Sequence, residues 1–401
     1  HIILTPEQQD FVRDYNMNDL DVTRRLLLRL RTEYKLRTDM SHEYGLELRS
    51  KSDAQIAEVV IKIELERLKG SRVLKPDFDE NYTFKYKAPS FLKFENPILK
   101  DIMLKLDNHI FSLNEKARVE LPDFVKQPFD FYGSSYQMGI GGLHSRESSV
   151  THNADEQTTL VDFDVGAFYP SLIINSGIFP KHLGEAFLKT YSYIKERRMR
   201  AKSKASSLYE KGDKANAEEW QAISDSLKIV LNGTFGKTGS HYSIFYSMDL
   251  MIHVTLTGQL TLLYQIEKSH LSGFKAVSAN TDGVVYKIDR VRLDELRNLL
   301  KEWEVETGYE LEETQYKYLC SRDVNTYFAV KTNDKVKVKT YYDFDSDHYD
   351  IDHNPKWAIC VKAVKEHLAK GTSIEQTILQ CDDIRQFVKV VNVKGGGVVV
   401  H

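Results

Sequence analysis

What this 401-residue chain lacks narrows its class first. Its longest apolar stretches, around residues 26–28 and 250–252 with their flanks, fall far short of the roughly 18 residues that a membrane-spanning helix needs. The opening HIILTPEQQD has no basic segment followed by an apolar one, so no secretory signal is expected there. Three cysteines, Cys320, Cys360 and Cys381, have no metal-ligand spacing and leave an odd thiol. That pattern points to free, buried thiols in a reducing, cytoplasmic setting. No internal repeat is visible, and the glycine run at 395–397 is the one low-complexity tract.

Net charge is nearly absent too: a formal −3 argues against a generic polyanion binder. The average hides a local asymmetry, because residues 195–204 read KERRMRAKSK, six cations against one carboxylate. Alone, such a run is most often the solvated face of a helix. What is present, 41% hydrophobic and 28% charged residues, describes an ordinary folded protein of two or more domains.

Residues 1–69 are expected to be helical, with apolar residues at helical spacing in Val22, Leu26 and Leu30 and again in Ile56, Val59, Val60 and Ile63. Gly70 and Ser71 end that region. Residues 72–149 mix short alternating runs with Pro and Gly and read as strands and loops with one helix near 98–107. From Thr159 the pattern becomes strand, helix, long helices, strand hairpin, helix and strands, and a last helix-rich piece begins near Asn354.

Three short motifs carry chemistry. In DFDVGAFYPS, at 162–171, the alternation places Asp162 and Asp164 on one wet, acidic strand face, with Val161 and Phe163 on the other. Gly166 then lets backbone approach a ligand, and a turn leads into a short helix whose first turn suits Pro170. Amides there are candidates for holding phosphate. In KIVLNGTFG, at 228–236, Lys228, Asn232 and Gly236 share one helix face. Upstream, Arg198 and Lys202 have the same spacing, and the polar stretch at 210–219 is where the chain should reverse, so two antiparallel helices would gather four polar groups suited to a triphosphate. SANTDGVVY, at 278–286, reads as a hairpin whose four turn residues, NTDG, expose Asp282 at the tip. Taken singly, each has a commonplace structural explanation, as a cap, a polar helix face or a turn.

In this order and spacing the motifs resemble those of a family B DNA polymerase of the bacteriophage kind. The family's DxxSLYPS is matched by Asp164, Tyr169, Pro170 and Ser171, with Ala167 and Phe168 replacing Ser and Leu. KxxxNSxYG is matched by Lys228, Asn232 and Gly236, with Gly233 and Phe235 departing. DTDS is matched by Thr281 and Asp282, with Asn280 in place of the first Asp and Gly283 in place of Ser. YKYLCSRDVNTYFAV, carrying Lys317, Arg322 and Tyr327, resembles the family's lysine and tyrosine motif on duplex DNA. YQMGIGGLHS, with Gly139, Gly141 and Gly142, more loosely resembles its template-holding linker. YNMND matches one proofreading-exonuclease motif through Tyr15 and Asp19, whose acidic partners would lie before His1. Proofreading is therefore expected to be absent, and Tyr15 and Asp19 are read as structural.

The resemblance implies an α+β, right-hand architecture: an exonuclease remnant (1–70), a connector and template linker (71–158), palm (159–188 and 239–353), fingers (189–238) and a partial thumb (354–401). It implies two magnesium ions, with manganese as substitute, held by Asp164, Asp282 and the Val165 carbonyl. Asp162 ranks second as a ligand and would shape the field. Nucleotide would be met by Gly166, Ala167, Phe168, Tyr169, Arg198, Lys202, Lys228, Asn232 and Thr281. Tyr169 is placed to exclude a ribose 2′-hydroxyl, and Gly233 and Gly236 would let their helix approach the nascent pair. Expected partners are primer-template DNA, dNTPs and replication accessory proteins; no membrane is expected, and the chain should be monomeric in a host-cell cytoplasm. A nucleic-acid primer is expected, since residues 164–228 leave room for two helices and little else. The alternatives are an inactive polymerase-like DNA-binding module and a nuclease built around Asp19.

Overall fold

The computed structural model describes residues 4–77, 79, 81–339 and 357–389. In chain order the helices are α1 (Pro6–Arg29), α2 (Arg31–Tyr44), α3 (Asp53–Lys69), α4 (Pro97–Asn108), α5 (Asp123–Lys126), α6 (Phe168–Ser176), α7 (Ala186–Glu210), α8 (Lys214–Thr238), α9 (Met248–Leu271), α10 (Leu293–Thr307), α11 (Ala358–Lys370) and α12 (Ile374–Leu379). The strands are β1 (Thr83–Lys85), β2 (Ile110–Ser112), β3 (Phe129–Phe131), β4 (Ser134–Gln137), β5 (His144–Ser145), β6 (Val150–Asn153), β7 (Thr158–Val165), β8 (Ala276–Asn280), β9 (Gly283–Asp289), β10 (Leu311–Asp323), β11 (Thr326–Lys331) and β12 (Val336–Lys339). Two compact units result, one from residues within 1–80 and 177–251, the other from 81–176 and 252–401; the division falls inside α9. Among the described residues no helix is long and apolar enough to cross a membrane.

The first unit is helical. Its core is α3 against α7 and α8, and α3 buries Ile56, Ala57, Val60, Ile61 and Leu65. Ser52 and Gln55 form a capping box at its start, and left-handed Gly70 ends it, as the sequence suggests. Gly233 of α8 lies in the crossing with α3, where an added Cβ would stand 2.8 Å from Ala57 Cβ and 2.9 Å from the Asp53 carbonyl. Its missing side chain therefore serves helix packing, which corrects the expectation that it makes room for a base pair. The chain reverses between α7 and α8 at 211–213, and the Tyr191 hydroxyl on α7 donates to the Leu231 carbonyl on α8 at 2.7 Å. Helix α1 departs from expectation. It buries no residue, and Val22, Leu26 and Leu30, whose spacing predicts a covered face, remain 55%, 53% and 43% exposed. The helix owes its start to local signals, a Thr5–Gln8 capping box and Pro6 in the first turn.

Among the described residues the second unit is built on a ten-stranded sheet with main order β12-β11-β10-β7-β9-β8-β5-β4-β3, and β6 pairs with β10. β7 is interior, hydrogen-bonded to β9 on one side and β10 on the other, so Leu160, Val161, Asp162 and Phe163 are all buried. Gly258 of α9 packs on Leu172 and Phe168 of α6. The buried Glu267 carboxylate of α9 accepts from the Glu95 and Asn96 amides at 2.9 and 2.8 Å, next to the first turn of α4. The C-terminal described residues form α11 and α12, whereas 354–356 and 390–401 of the expected thumb, with the glycine run at 395–397, lie outside the described residues. The cysteines are free, but they are not all buried: Cys360 is exposed, and Cys320 and Cys381 are half-buried.

Candidate active site

The first and third motifs meet in the second unit through strand pairing. In the β7–β9 ladder Asp164 lies opposite Gly283, and Asp162 opposite Val285. The β8–β9 turn is tighter than the four residues expected, because Asn280 pairs with Gly283 and leaves Thr281 and Asp282 as the loop. Thr281 takes φ +51°, and the Asp282 amide donates back to the Asn280 carbonyl at 2.5 Å. The Asp282 carbonyl accepts from the Val165 amide at 2.6 Å, which ties the hairpin tip to the end of β7 beside Asp164. A Cβ at Gly283 would fall on Asp164 Oδ1, so the glycine standing where the family motif has serine gives the carboxylate its space.

Asp162 corrects the reading of a wet acidic face. It is 5% exposed, accepts from the Tyr316 hydroxyl at 2.7 Å and lies 3.5 Å from Lys337 Nζ. Lys337 is also 3.6 Å from Asp164 and 3.3 Å from the Tyr316 hydroxyl. Burial, then Asp162, pushes the Asp164 carboxyl up to about 6. Asp162 is raised by burial, against the pull of Lys337. At the exposed tip, Asp282 is raised by the surrounding protein's displacement of water and then by Asp164. Burial alone would lower Lys337, and the Asp162 and Asp164 carboxylates reverse this and hold it above the ordinary lysine value. Lys339, on the same strand face, is lowered by burial, with Asp282 pulling the other way.

The turn after β7 behaves differently from its sequence reading. The backbone reversal falls on Ala167, at φ +48°, and the Gly166 amide is already committed to the Glu310 carbonyl at 2.8 Å. Phe168 is buried, and Tyr169, half-buried, has its phenol raised by burial and then by Asp282. The glycine segment expected to hold template lies directly against the Asp282 turn. The Thr281 amide donates to the Leu143 carbonyl at 2.9 Å, and a Cβ at Gly142 (φ +119°) would stand 3.1 Å from Thr281 Cγ2. The Gly139 amide donates to Gln259 at 2.7 Å, and a Cβ at Gly141 would approach no closer than 3.9 Å to His144.

Other expected residues are described within their own units. Arg198 and Lys202 on α7, and Lys228, Asn232 and Gly236 on α8, belong to the first unit, where the last three share an exposed helix face. Lys317 pairs with Asp334 at 2.5 Å, and Arg322 lies 3.9 Å from Asp323. Tyr327 does join the carboxylate region, with its ring under Lys339 Nζ at 5.9 Å. Tyr15 and Asp19 are exposed on α1. Sequence reasoning missed Tyr316, Lys337 and Lys339. The available signal was the VKVK alternation at 336–339, which sets two cations on one strand face.

Asp164 and Asp282 offer hard oxygen ligands of the kind that suit magnesium, which is typically held by one or two carboxylates together with water and substrate phosphates. Among the described residues no group of three or more His, Cys, Asp and Glu side chains converges as a metal cage. Two carboxylates, one of them already drawing the Lys337 ammonium, are a donor set that a divalent cation could use only together with ligands from outside the protein.

Neither a protein-family profile nor a curated protein matches the sequence. Among solved structures, the chain is similar to the family B DNA polymerase from the hyperthermophilic archaeon Pyrobaculum calidifontis, at 13% identity and a TM-score of 0.49, over 94% of this chain and 43% of that chain. This chain thus spans less than half of that protein's length, and the likeness is distant and does not speak to the bacteriophage type.

Proposed function

We propose that this chain is the polymerase core of a family B DNA polymerase of the bacteriophage kind, adding deoxynucleotides to a primer 3′-hydroxyl on a DNA template. The observation that supports this best is the convergence of Asp164 and Asp282 across the β7–β9 pair, locked by the 2.6 Å bond from the Val165 amide to the Asp282 carbonyl. Asp164 and Asp282 would hold magnesium, which when bound supplies charge neutralisation at the triphosphate and activation of the hydroxyl. The other residues set the geometry. Gly283 leaves the Asp164 carboxylate its space, Thr281 orients the tip, and Tyr169 closes the sugar side against a 2′-hydroxyl. The glycines at 139, 141 and 142 would guide template past the tip, and Tyr327 would follow the duplex with Lys317 and Arg322. Arg198, Lys202, Lys228 and Asn232 are assigned to nucleotide binding on their helical spacing alone. On this reading residues 159–188 and 239–353, which carry β7 to β12, are palm, α7 and α8 are fingers, and α11 and α12 begin a thumb.

Primer extension on a primed DNA template in magnesium tests the proposal: extension falls to background in Asp164→Ala and Asp282→Ala. Full activity in both variants ends the reading. One observation favours a second reading, a DNA-binding module with little or no catalysis: Asn280 stands where the family motif has a carboxylate, and its amide donates to the Val324 carbonyl at 2.9 Å. Duplex binding without extension in magnesium or manganese would identify it.

A further inference from the structure

β12 stands three strands from β7 in the sheet order, a separation of about 14 Å in a flat sheet. That is farther than a lysine side chain spans. Lys337 nevertheless reaches Asp162 and Asp164, because β10 and β11 pair with register shifts at Tyr316/Tyr318 and Ser321/Asp323, and such shifts bend and twist the strands that carry them. One ammonium ion therefore stands against two carboxylates of unequal character. Asp162 is buried and also holds the Tyr316 hydroxyl, whereas the Asp164 side chain keeps 36% of its surface exposed and faces the Asp282 turn.

We propose that Lys337 is a positioning residue for the acidic pair: an internal cation that holds the Asp164 carboxylate in the metal-free protein and stays with Asp162 and Tyr316 when a divalent ion takes Asp164. This rests on the metal-binding reading given above. Asp162 then acts through Lys337, anchoring the ammonium so that it competes less for Asp164 than it would with Asp164 alone. The arrangement fits the chemistry of both partners. A lysine is a point charge on a flexible stem and can shift between oxygens without losing its charge, and the Tyr316 hydroxyl, 3.3 Å from Nζ, offers it another polar contact on the Asp162 side. Lys339, beside it on the strand, meets the Tyr327 ring and feels Asp282, so the strand presents a cation to each half of the carboxylate pair.

Manganese titration of the whole chain without DNA, following free Mn2+ by electron paramagnetic resonance, tests this. Lys337→Gln, which removes the competing charge, is expected to tighten Mn2+ binding about tenfold, and Lys337→Arg to keep affinity near wild type. Lys337→Met provides a second neutral variant should the glutamine protein fold poorly. Asp162→Asn is expected to weaken binding about tenfold in the wild-type background, because Lys337 is left with Asp164 alone, and less than about threefold in the Lys337→Gln background. An equal loss in both backgrounds would make Asp162 a direct ligand and overturn the proposal. So would unchanged or weaker binding in both neutral variants while the wild type still binds Mn2+ through Asp164. Mn2+ binding that is absent, or indifferent to Asp164→Ala, removes the metal-binding reading itself and this inference with it.

Discussion

Asp164→Asn should make the fold more stable even as it removes a carboxylate that the proposed function requires. Burial and the neighbouring Asp162 move the Asp164 carboxyl from 3.8 to about 6, a shift worth about 3 kcal/mol by linkage. Because the side chain is 36% exposed, solvent screening reduces this to about 1–2 kcal/mol. The sign follows from proton binding. Between pH 3.8 and 6 the folded state binds more protons at this group than the unfolded state, so wild-type stability falls as pH rises through that window. Below it the penalty is absent; above it the penalty is complete. Lys337 does not reverse the expectation, since its attraction is already contained in the shift and it keeps Asp162 at 3.5 Å in the variant. Urea unfolding in EDTA at pH 8 and again near pH 4 measures the difference. The asparagine variant should gain about 1–2 kcal/mol at pH 8 and little near pH 4. A less stable variant at pH 8, or an advantage that does not change with pH, would refute the reasoning.

Other substitutions separate packing from positioning. Gly233→Ala puts a methyl group 2.8 Å from Ala57 Cβ and 2.9 Å from the Asp53 carbonyl and should cost about 1–3 kcal/mol in urea unfolding. Gly236→Ala, with nothing within 4 Å, should instead gain up to about 1 kcal/mol from helix propensity. Gly283→Ala forces the Asp164 carboxylate aside and should lower primer extension about a hundredfold, with the folded far-ultraviolet circular dichroism retained. Tyr316→Phe takes the 2.7 Å donor from an enclosed carboxylate and should cost about 1–3 kcal/mol, again read from urea unfolding.

Local pattern was readable and long-range pairing was not. The alternation at 161–164 announced β7, the reversal at 210–219 announced the α7–α8 pair, and turn chemistry at 280–283 announced the β8–β9 hairpin, because each depends on a few adjacent residues. The same alternation misread Asp162. A strand with one wet face was the natural inference, but β9 and β10 flank β7, and Tyr316 of the neighbouring β10 and Lys337 of the more distant β12 close over the carboxylate. Lys337 follows Asp162 by 175 residues, and its approach depends on register shifts that no local spacing encodes. Gly233 shows the converse. A glycine inside a chemical motif invited a ligand-facing role, yet the neighbour that needs its bareness is α3, far earlier in the chain.

Two of the seven non-glycine residues with positive φ among the described residues flank the acidic pair. Ala167 and Thr281 occupy the left-handed region at φ +48° and +51°, a region unfavourable for residues with a Cβ and worst for β-branched ones such as threonine. One follows Asp164 by three residues and the other immediately precedes Asp282. Each is over-determined by its surroundings: Ala167 by the Gly166 bond to Glu310 and the Ser171 bond that starts α6, Thr281 by the Leu143 carbonyl and by Gly142 at its side. Strain of about 1–3 kcal/mol at each would be removed by glycine at either position, and a fold selected for stability alone would favour that change. At these two turns the strain coincides with carboxyls that burial and a neighbouring carboxylate raise above their ordinary value. Their common effect is to fix where Asp164 and Asp282 stand relative to one another, which is the geometric requirement of the cation site proposed above.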